Sequence, residues 1–173
     1  TLVMGVAAVR DRVQTAWAVL GGVLDPEVPA LSVRDLGIVR DIVAADDGVL
    51  DVVLTPTYSG CPATEVISDS VRDALDGAGL GPTRVSLRRA PAWTTDWISA
   101  EGRRKLRDYG IAPPGPVPPT PGVSAIRIVA RGVECPRCGS AQTERLSAFG
   151  STACKAMFRC LDCREPFEHF KPI

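Results

Sequence analysis

Cys135-Pro136-Arg137-Cys138 and Cys160-Leu161-Asp162-Cys163 form two Cys-x-x-Cys pairs with 21 residues between them. Each pair can turn its two thiolates toward one point. The stretch between is long enough for a hairpin, so four thiolates can surround one tetrahedral ion. The gap lies just outside the commonest range, about 15–20 residues, but remains ribbon-like. A structural zinc ion is the expected occupant. A redox-active dithiol and a rubredoxin-type iron site are the alternatives these ligands allow. The tail has too few apolar residues to fold unaided, and metal binding would supply that free energy. Phe158 and Phe167 fit its small core. A closed four-cysteine site leaves no open position for catalysis, so the chemistry has to be sought partly elsewhere.

Upstream of the knuckles, residues 111–122 read Ile-Ala-Pro-Pro-Gly-Pro-Val-Pro-Pro-Thr-Pro-Gly. Prolines at half of these positions are incompatible with a helix or a central strand, and predict a semi-rigid linker. The expected division is an α/β domain over 1–110, a linker over 111–123 and a zinc ribbon over 124–173. Residues 125–131 are expected to be a strand entering the first knuckle.

In the first domain, Val6, Val9, Val13, Trp17 and Leu20 fall at three- and four-residue steps and predict a helix over 6–22 ended by Gly21-Gly22. Asp25-Pro-Glu-Val-Pro29 predicts a structured loop. Two β-branched runs, 37–44 and 49–55, flank Asp46-Asp47-Gly48 and predict a hairpin. Pro62 suits the first residue of a second helix, with Val66, Ile67, Ser70, Val71, Ala74 and Ala78 as its apolar face. A third strand is expected over 83–89, with Val85 and Leu87 inward. A turn and short helix should follow within 92–110, with Ser99 as a candidate N-cap. The fold class expected is therefore α+β: a small α/β domain with a three-stranded sheet and flanking helices, then a four-cysteine zinc-ribbon β domain.

Composition excludes several function classes. Apolar residues make up 45% and charged residues 23%, as in ordinary globular chains. Lys+Arg and Asp+Glu each number 20, giving zero formal net charge, which argues against nucleic acid as a partner. No run approaches the roughly 18–20 apolar residues of a membrane span. Arg10, Asp11 and Arg12 interrupt the mildly apolar start, so a cytoplasmic location is expected. In a reducing compartment, paired Cys-x-x-Cys spacing indicates metal rather than disulfides.

Two further cysteines stand apart. Cys61 falls at the expected N-cap of the second helix, where free N–H groups and the helix dipole favour a thiolate. Its structural alternative is a small buried residue beneath the helix. Cys154 lies beside Lys155, midway between the knuckles; it is either an activated thiol or a core residue of the ribbon hairpin. Asp25, Glu27 and Asp35 surround the proline-rich loop, where capping and hard-cation binding are both open. His169 is the only histidine, which leaves a hydrolytic triad without a nearby base. Trp93, Trp97 and Tyr109 read as a core or interface cluster. No glycine-rich phosphate loop is present.

Asp25-Pro26-Glu27, Asp35-Leu36-Gly37 and the run from Thr55 to Cys61-Pro62 resemble the SufT-like family of iron–sulfur assembly factors over about residues 6–90. The resemblance implies a small α/β domain with one key cysteine before a helix. Trp93-Thr-Thr-Asp-Trp-Ile-Ser99, Gly102-Arg-Arg-Lys-Leu106, Tyr109-Gly-Ile-Ala-Pro-Pro114, Phe149-Gly-Ser-Thr-Ala-Cys-Lys-Ala156 and Glu165-Pro-Phe167 are similar to the D-subunit family of bacterial phenylacetyl-CoA epoxidase systems. That likeness implies an accessory protein of aerobic phenylacetate degradation, without catalytic activity of its own. Its expected partners are the iron–sulfur reductase or the di-iron oxygenase of the epoxidase. A homodimer is the further arrangement it allows, with two Cys61 thiolates sharing a cluster. It implies that Cys61 handles iron or an iron–sulfur cluster transiently, with Asp25, Glu27, Asp35, Thr55 and Cys154 as candidate supports. The sequence agrees in lacking the Glu-x-x-His pairs of a di-iron site, and a flavin or nicotinamide fingerprint.

Overall fold

A computed structural model describes residues 2–58, 60, 62–117 and 132–173, with side chains from residue 7 onward. Contacts divide the chain into two compact units, residues 1–93 with 97–99, and residues 94–96 with 100–173.

The first unit begins with α1, Leu2–Leu20. Its C-terminal half supplies the buried residues, Ala16 and Leu20, whereas Val9 of the expected stripe is exposed. Gly21 and Gly22 end the helix, with their amides bonded to Ala18 and Val19 carbonyls. β1 (Val39–Ala44) and β2 (Leu50–Leu54) form the expected antiparallel hairpin. Gly48 has φ +83° in its turn, a conformation glycine adopts without a Cβ penalty. α2 (Ala63–Gly77) then crosses over to β3 (Thr83–Leu87), which pairs parallel to β2. The sheet order is β1-β2-β3.

α2 buries Ala63, Ile67, Val71 and Leu75. This i, i+4 row is shifted from the expected face: Leu75 is inside and Val66 is exposed. The row lies on one side of the helix, and only residues in register with it reach the core. β3 also departs from expectation. Leu87 is exposed and Val85 only half-buried, whereas β1, the other edge strand, buries Val39 and Ile42. The core closes on Leu20, Leu31, Val33, Leu36, Leu50, Val52, Leu54, Val71 and Leu75. Trp93 completes it, its indole N–H donating to the Leu36 carbonyl at 2.9 Å.

The second unit contains α3 (Ala100–Tyr109) and a four-stranded sheet of order β4-β7-β6-β5. The strands are β4 (Ile111–Ala112), β5 (Thr143–Ser147), β6 (Lys155–Cys160) and β7 (Pro166–Phe170). β5, β6 and β7 form an antiparallel meander, as a ribbon requires. β4 corrects the expected linker boundary. Ile111 and Ala112, assigned by sequence to the linker, pair parallel with Glu168 and His169 and are buried. The physical reason is that the prolines start only at 113, so both residues keep the N–H a strand needs. The strand expected over 125–131 and the rest of the linker from residue 118 lie outside the described residues. The core of the sheet is Ala112, Cys135, Cys160 and Phe167, with Val133, Phe158 and Cys163 against it.

Candidate functional site

The four knuckle cysteines converge. Their Sγ atoms all lie within 4.8 Å of one another. Cys135 and Cys163 sulfurs are 3.8 Å apart, and those of Cys138 and Cys160 are 3.5 Å apart. A tetrahedral ion with metal–sulfur bonds of about 2.3 Å requires sulfur–sulfur edges of about 3.8 Å. The donor set therefore fits a metal of zinc or iron size.

The backbone builds each knuckle in the same way. In the first, the Cys135 amide donates to Ser140 O at 2.8 Å and the Gly139 amide to Cys135 O at 2.9 Å. In the second, the Cys160 amide donates to Glu165 O at 3.0 Å, and the Cys163 amide reaches Cys160 Sγ at 3.5 Å. The residue after each second cysteine is left-handed, Gly139 with φ +77° and Arg164 with φ +67°. The Cys163 amide, opposed by desolvation and aided by the Asp162 amide, holds the Cys160 thiol down to about 7, whereas against the Glu165 amide desolvation and the neighbouring thiols push Cys163 up to about 12. Cys160 is thus the thiol most readily ionised, and a bound cation would draw the others to thiolate. Among the described residues these four cysteines alone gather three or more His, Cys, Asp or Glu ligands within metal reach.

Asp25, Glu27 and Asp35 thus form no ligand cluster among the described residues. Asp25 Oδ1 accepts from the amides of Glu27 (2.9 Å) and Val28 (2.7 Å) and closes the Asp-Pro-Glu turn. Asp35 Oδ2 accepts from the amide and hydroxyl of Ser32 at 3.0 and 2.8 Å. Both carboxylates are buried. The bonds these two aspartates make are caps of the loop backbone. Glu27 is half-buried. The loop is tied to the sheet, since Val33 O receives the Ile38 amide and Ile38 O receives the Thr55 amide.

Thr55 ends the path from β2 toward the second helix. It is 1% exposed, and its hydroxyl finds no partner among the described residues. Cys61 lies outside the described residues. The residue after it, Pro62, has helical dihedrals (φ −65°, ψ −23°), so the helical backbone starts immediately beyond Cys61.

Cys154 is buried, with its sulfur 3.0 Å from the Thr152 hydroxyl. That placement matches the core alternative. Sequence reasoning missed what lies beside it. Lys155 is buried and pairs with Glu168 at 2.9 Å, and Glu168 also accepts from the Ser151 amide. The available signal is a lysine inside an apolar β run, with a glutamate on the neighbouring strand. His169 is half-buried and packs edge-on to Phe158, and its desolvation keeps its pKa below the ordinary histidine value.

Known proteins resemble both units. Residues 13–87 match the iron–sulfur cluster assembly protein family, and residues 120–171 match the PaaD zinc beta ribbon domain. A protein of Escherichia coli (strain K12) named as the D-subunit of 1,2-phenylacetyl-CoA epoxidase is 46% identical over 94% of each chain. The chain belongs to the PaaD family. A PaaD-type chain thus joins an iron–sulfur assembly domain to a zinc ribbon. The first part alone is 33% identical to an Fe-S protein maturation auxiliary factor of Porphyromonas gingivalis, over 49% of this chain and 80% of that one. A crystal structure of a DUF59 domain from Bacillus anthracis shares the fold, with TM-score 0.54 and 23% identity over 58% of this chain and 96% of that one. Among the described residues of this PaaD-family chain, no helix is long and apolar enough to cross a membrane.

Proposed function

We propose that the protein matures an iron or iron–sulfur centre of a phenylacetyl-CoA epoxidase system, with Cys61 as the thiolate that holds the cargo in transit. The observation that carries this reading is the match of residues 13–87 to iron–sulfur cluster assembly proteins. That span includes Cys61, in a chain whose full-length relative is named as an epoxidase subunit. The helical start at Pro62 supports it: amides at the beginning of a 15-residue helix stabilise a preceding thiolate. One protein thiolate per chain suits a carrier, because a cargo held by few ligands can be released to a client. The client is the iron–sulfur reductase or the di-iron oxygenase, and two chains could share a cluster through two Cys61 thiolates. The location that goes with this role is cytoplasmic. In this reading Thr55 acts on the same site, with Asp25, Glu27 and Asp35 supporting it. The ribbon holds zinc as a structural ion, and no turnover reaction of its own is assigned to the protein.

Co-expression of the epoxidase with wild-type or Cys61→Ala protein tests this. The variant should remain folded and keep its zinc, while iron, sulfide and activity of the client fall. Unchanged client iron and activity would defeat the reading. The relative's name as a subunit favours a second reading, a non-catalytic structural component of the epoxidase complex. It predicts stoichiometric co-purification with the epoxidase and indifference to Cys61→Ala.

A further inference from the structure

The second unit contains a cavity of about 560 Å³ that the maturation reading does not use. Its volume falls within the roughly 300–1,000 Å³ of small-molecule sites. One wall is α3, whose Arg103 and Arg107 sit at i and i+4 and so share a helix face. Another wall is proline, Pro113 and Pro172, which offers rigid apolar surface. His169 and Glu134 add further polar lining.

The two arginines differ in how they are held. Arg103 donates to the carbonyls of Pro114 at 2.6 Å and Thr95 at 2.8 Å. Those bonds fix its guanidinium in place and use only some of its five N–H donors. They leave its charge uncompensated, because neither partner is a carboxylate. Arg107 is exposed and has no side-chain partner among the described residues. Arg104 is different: it is spent on Glu101 and Asp108 of its own helix. The cavity therefore presents one preorganised and one available cation to whatever enters it. A doubly charged phosphate matches two guanidiniums in charge and in hydrogen-bond geometry. Glu134 on the lining favours a ligand that also carries a hydroxyl or amine donor.

We infer that this cavity binds a small organic phosphate, with Arg103 and Arg107 on the phosphate and Glu134 on a donor group of the ligand. A cavity of this volume suits a small molecule better than an acidic peptide, which would need a longer groove. The inference is independent of Cys61 and stands whether or not the protein carries iron.

Titration calorimetry on the full, zinc-loaded chain at low salt tests it, with ADP and inorganic pyrophosphate as probes and hexaglutamate as the peptide control. Saturable binding of ADP is expected, and Arg107→Gln should weaken it by about tenfold or more. Because Arg107 is exposed and supports no other described side chain, that variant should fold and hold zinc as wild type does. Glu134→Gln should weaken ADP more than pyrophosphate, which lacks the organic donor. Failure of both phosphates to bind, binding of hexaglutamate alone, or wild-type ADP affinity in Arg107→Gln would each overturn the assignment.

Discussion

Thr55 is the residue at which packing and chemistry disagree. A threonine hydroxyl buried without a partner costs about 1–3 kcal/mol relative to one that is bonded. Valine has nearly the same shape and no hydroxyl to desolvate. If packing alone kept Thr55, Thr55→Val would be neutral or stabilising in urea unfolding and silent in function. The maturation reading expects the same neutral or raised stability together with lower iron in a co-expressed client. Normal client iron in a stable Thr55→Val variant would remove Thr55 from the site. Asp35 illustrates the opposite case. Its Oδ2 accepts from the amide and hydroxyl of Ser32, so it caps a turn in the Asp-Leu-Gly run. The glycine of that run, Gly37, has φ +69°, and a Cβ there would lie 2.6 Å from the Trp97 carbonyl oxygen. One short motif thus encodes a capped turn and a close approach to the aromatic segment.

At the scale of elements, the periodic segments were legible and the ones fixed by partners were not. The hairpin of β1 and β2 and the paired knuckles follow from alternation, turn residues and cysteine spacing. β4 did not, because two residues carry no periodicity and become a strand only when β7 is beside them. The Lys155–Glu168 pair between β6 and β7 was likewise invisible until register put Lys155 opposite Phe170 and Met157 opposite Glu168. Lys155 is 4% and Glu168 18% exposed at their side chains. Removing one partner strands the other charge in a desolvated place, so Glu168→Gln should cost about 2–3 kcal/mol by denaturant unfolding. Burial alone would raise the Glu168 pKa; the Ser151 amide and the Lys155 ammonium outweigh it and set the pKa below the ordinary carboxylate value of 4.5. A depressed carboxylate stabilises the fold above its unfolded pKa and loses that contribution as pH falls through its folded pKa. The stability gap between wild type and Glu168→Gln should therefore be constant above about pH 5 and close below about pH 4. The second sheet depends on its metal, so the two proteins are compared only over the pH range in which both keep it, with metal content measured beside each unfolding curve. A gap that does not change with pH would mean that the ion pair contributes nothing beyond shape.

Across the whole molecule, the two units draw stability from different sources. The first has a core of large aliphatic side chains from α1, α2, the sheet and the loop after α1. In the second, the cluster at the knuckles is Ala112, Cys135, Cys160 and Phe167, two of them candidate metal ligands, and Leu106, Ile111, Ala156 and Phe170 are buried besides. At about 25 cal/mol per Å² of apolar surface, the four-residue cluster at the knuckles offsets little of the ordering of their loops, which leaves that part of the unit to the metal. The sequence signalled this asymmetry through cysteine spacing and sparse apolar residues. It did not signal that α3 and residues 111–117 group with the ribbon, because proline content marks a break in hydrogen bonding, not a border of packing. Removing the metal with a strong chelator should consequently act on one unit. Amide protection should collapse over β5, β6 and β7 and over Ile111 and Ala112, while β1, β2 and α2 keep theirs. Cys160→Ser should reproduce the pattern without chelator, since a serine hydroxyl is a poor substitute for a thiolate. Restoring zinc should return protection to the wild-type chain and not to the variant. Full protection of the second sheet after complete metal removal would show that Phe158, Phe167 and the buried ion pair suffice, and that the four thiolates do not hold this fold together.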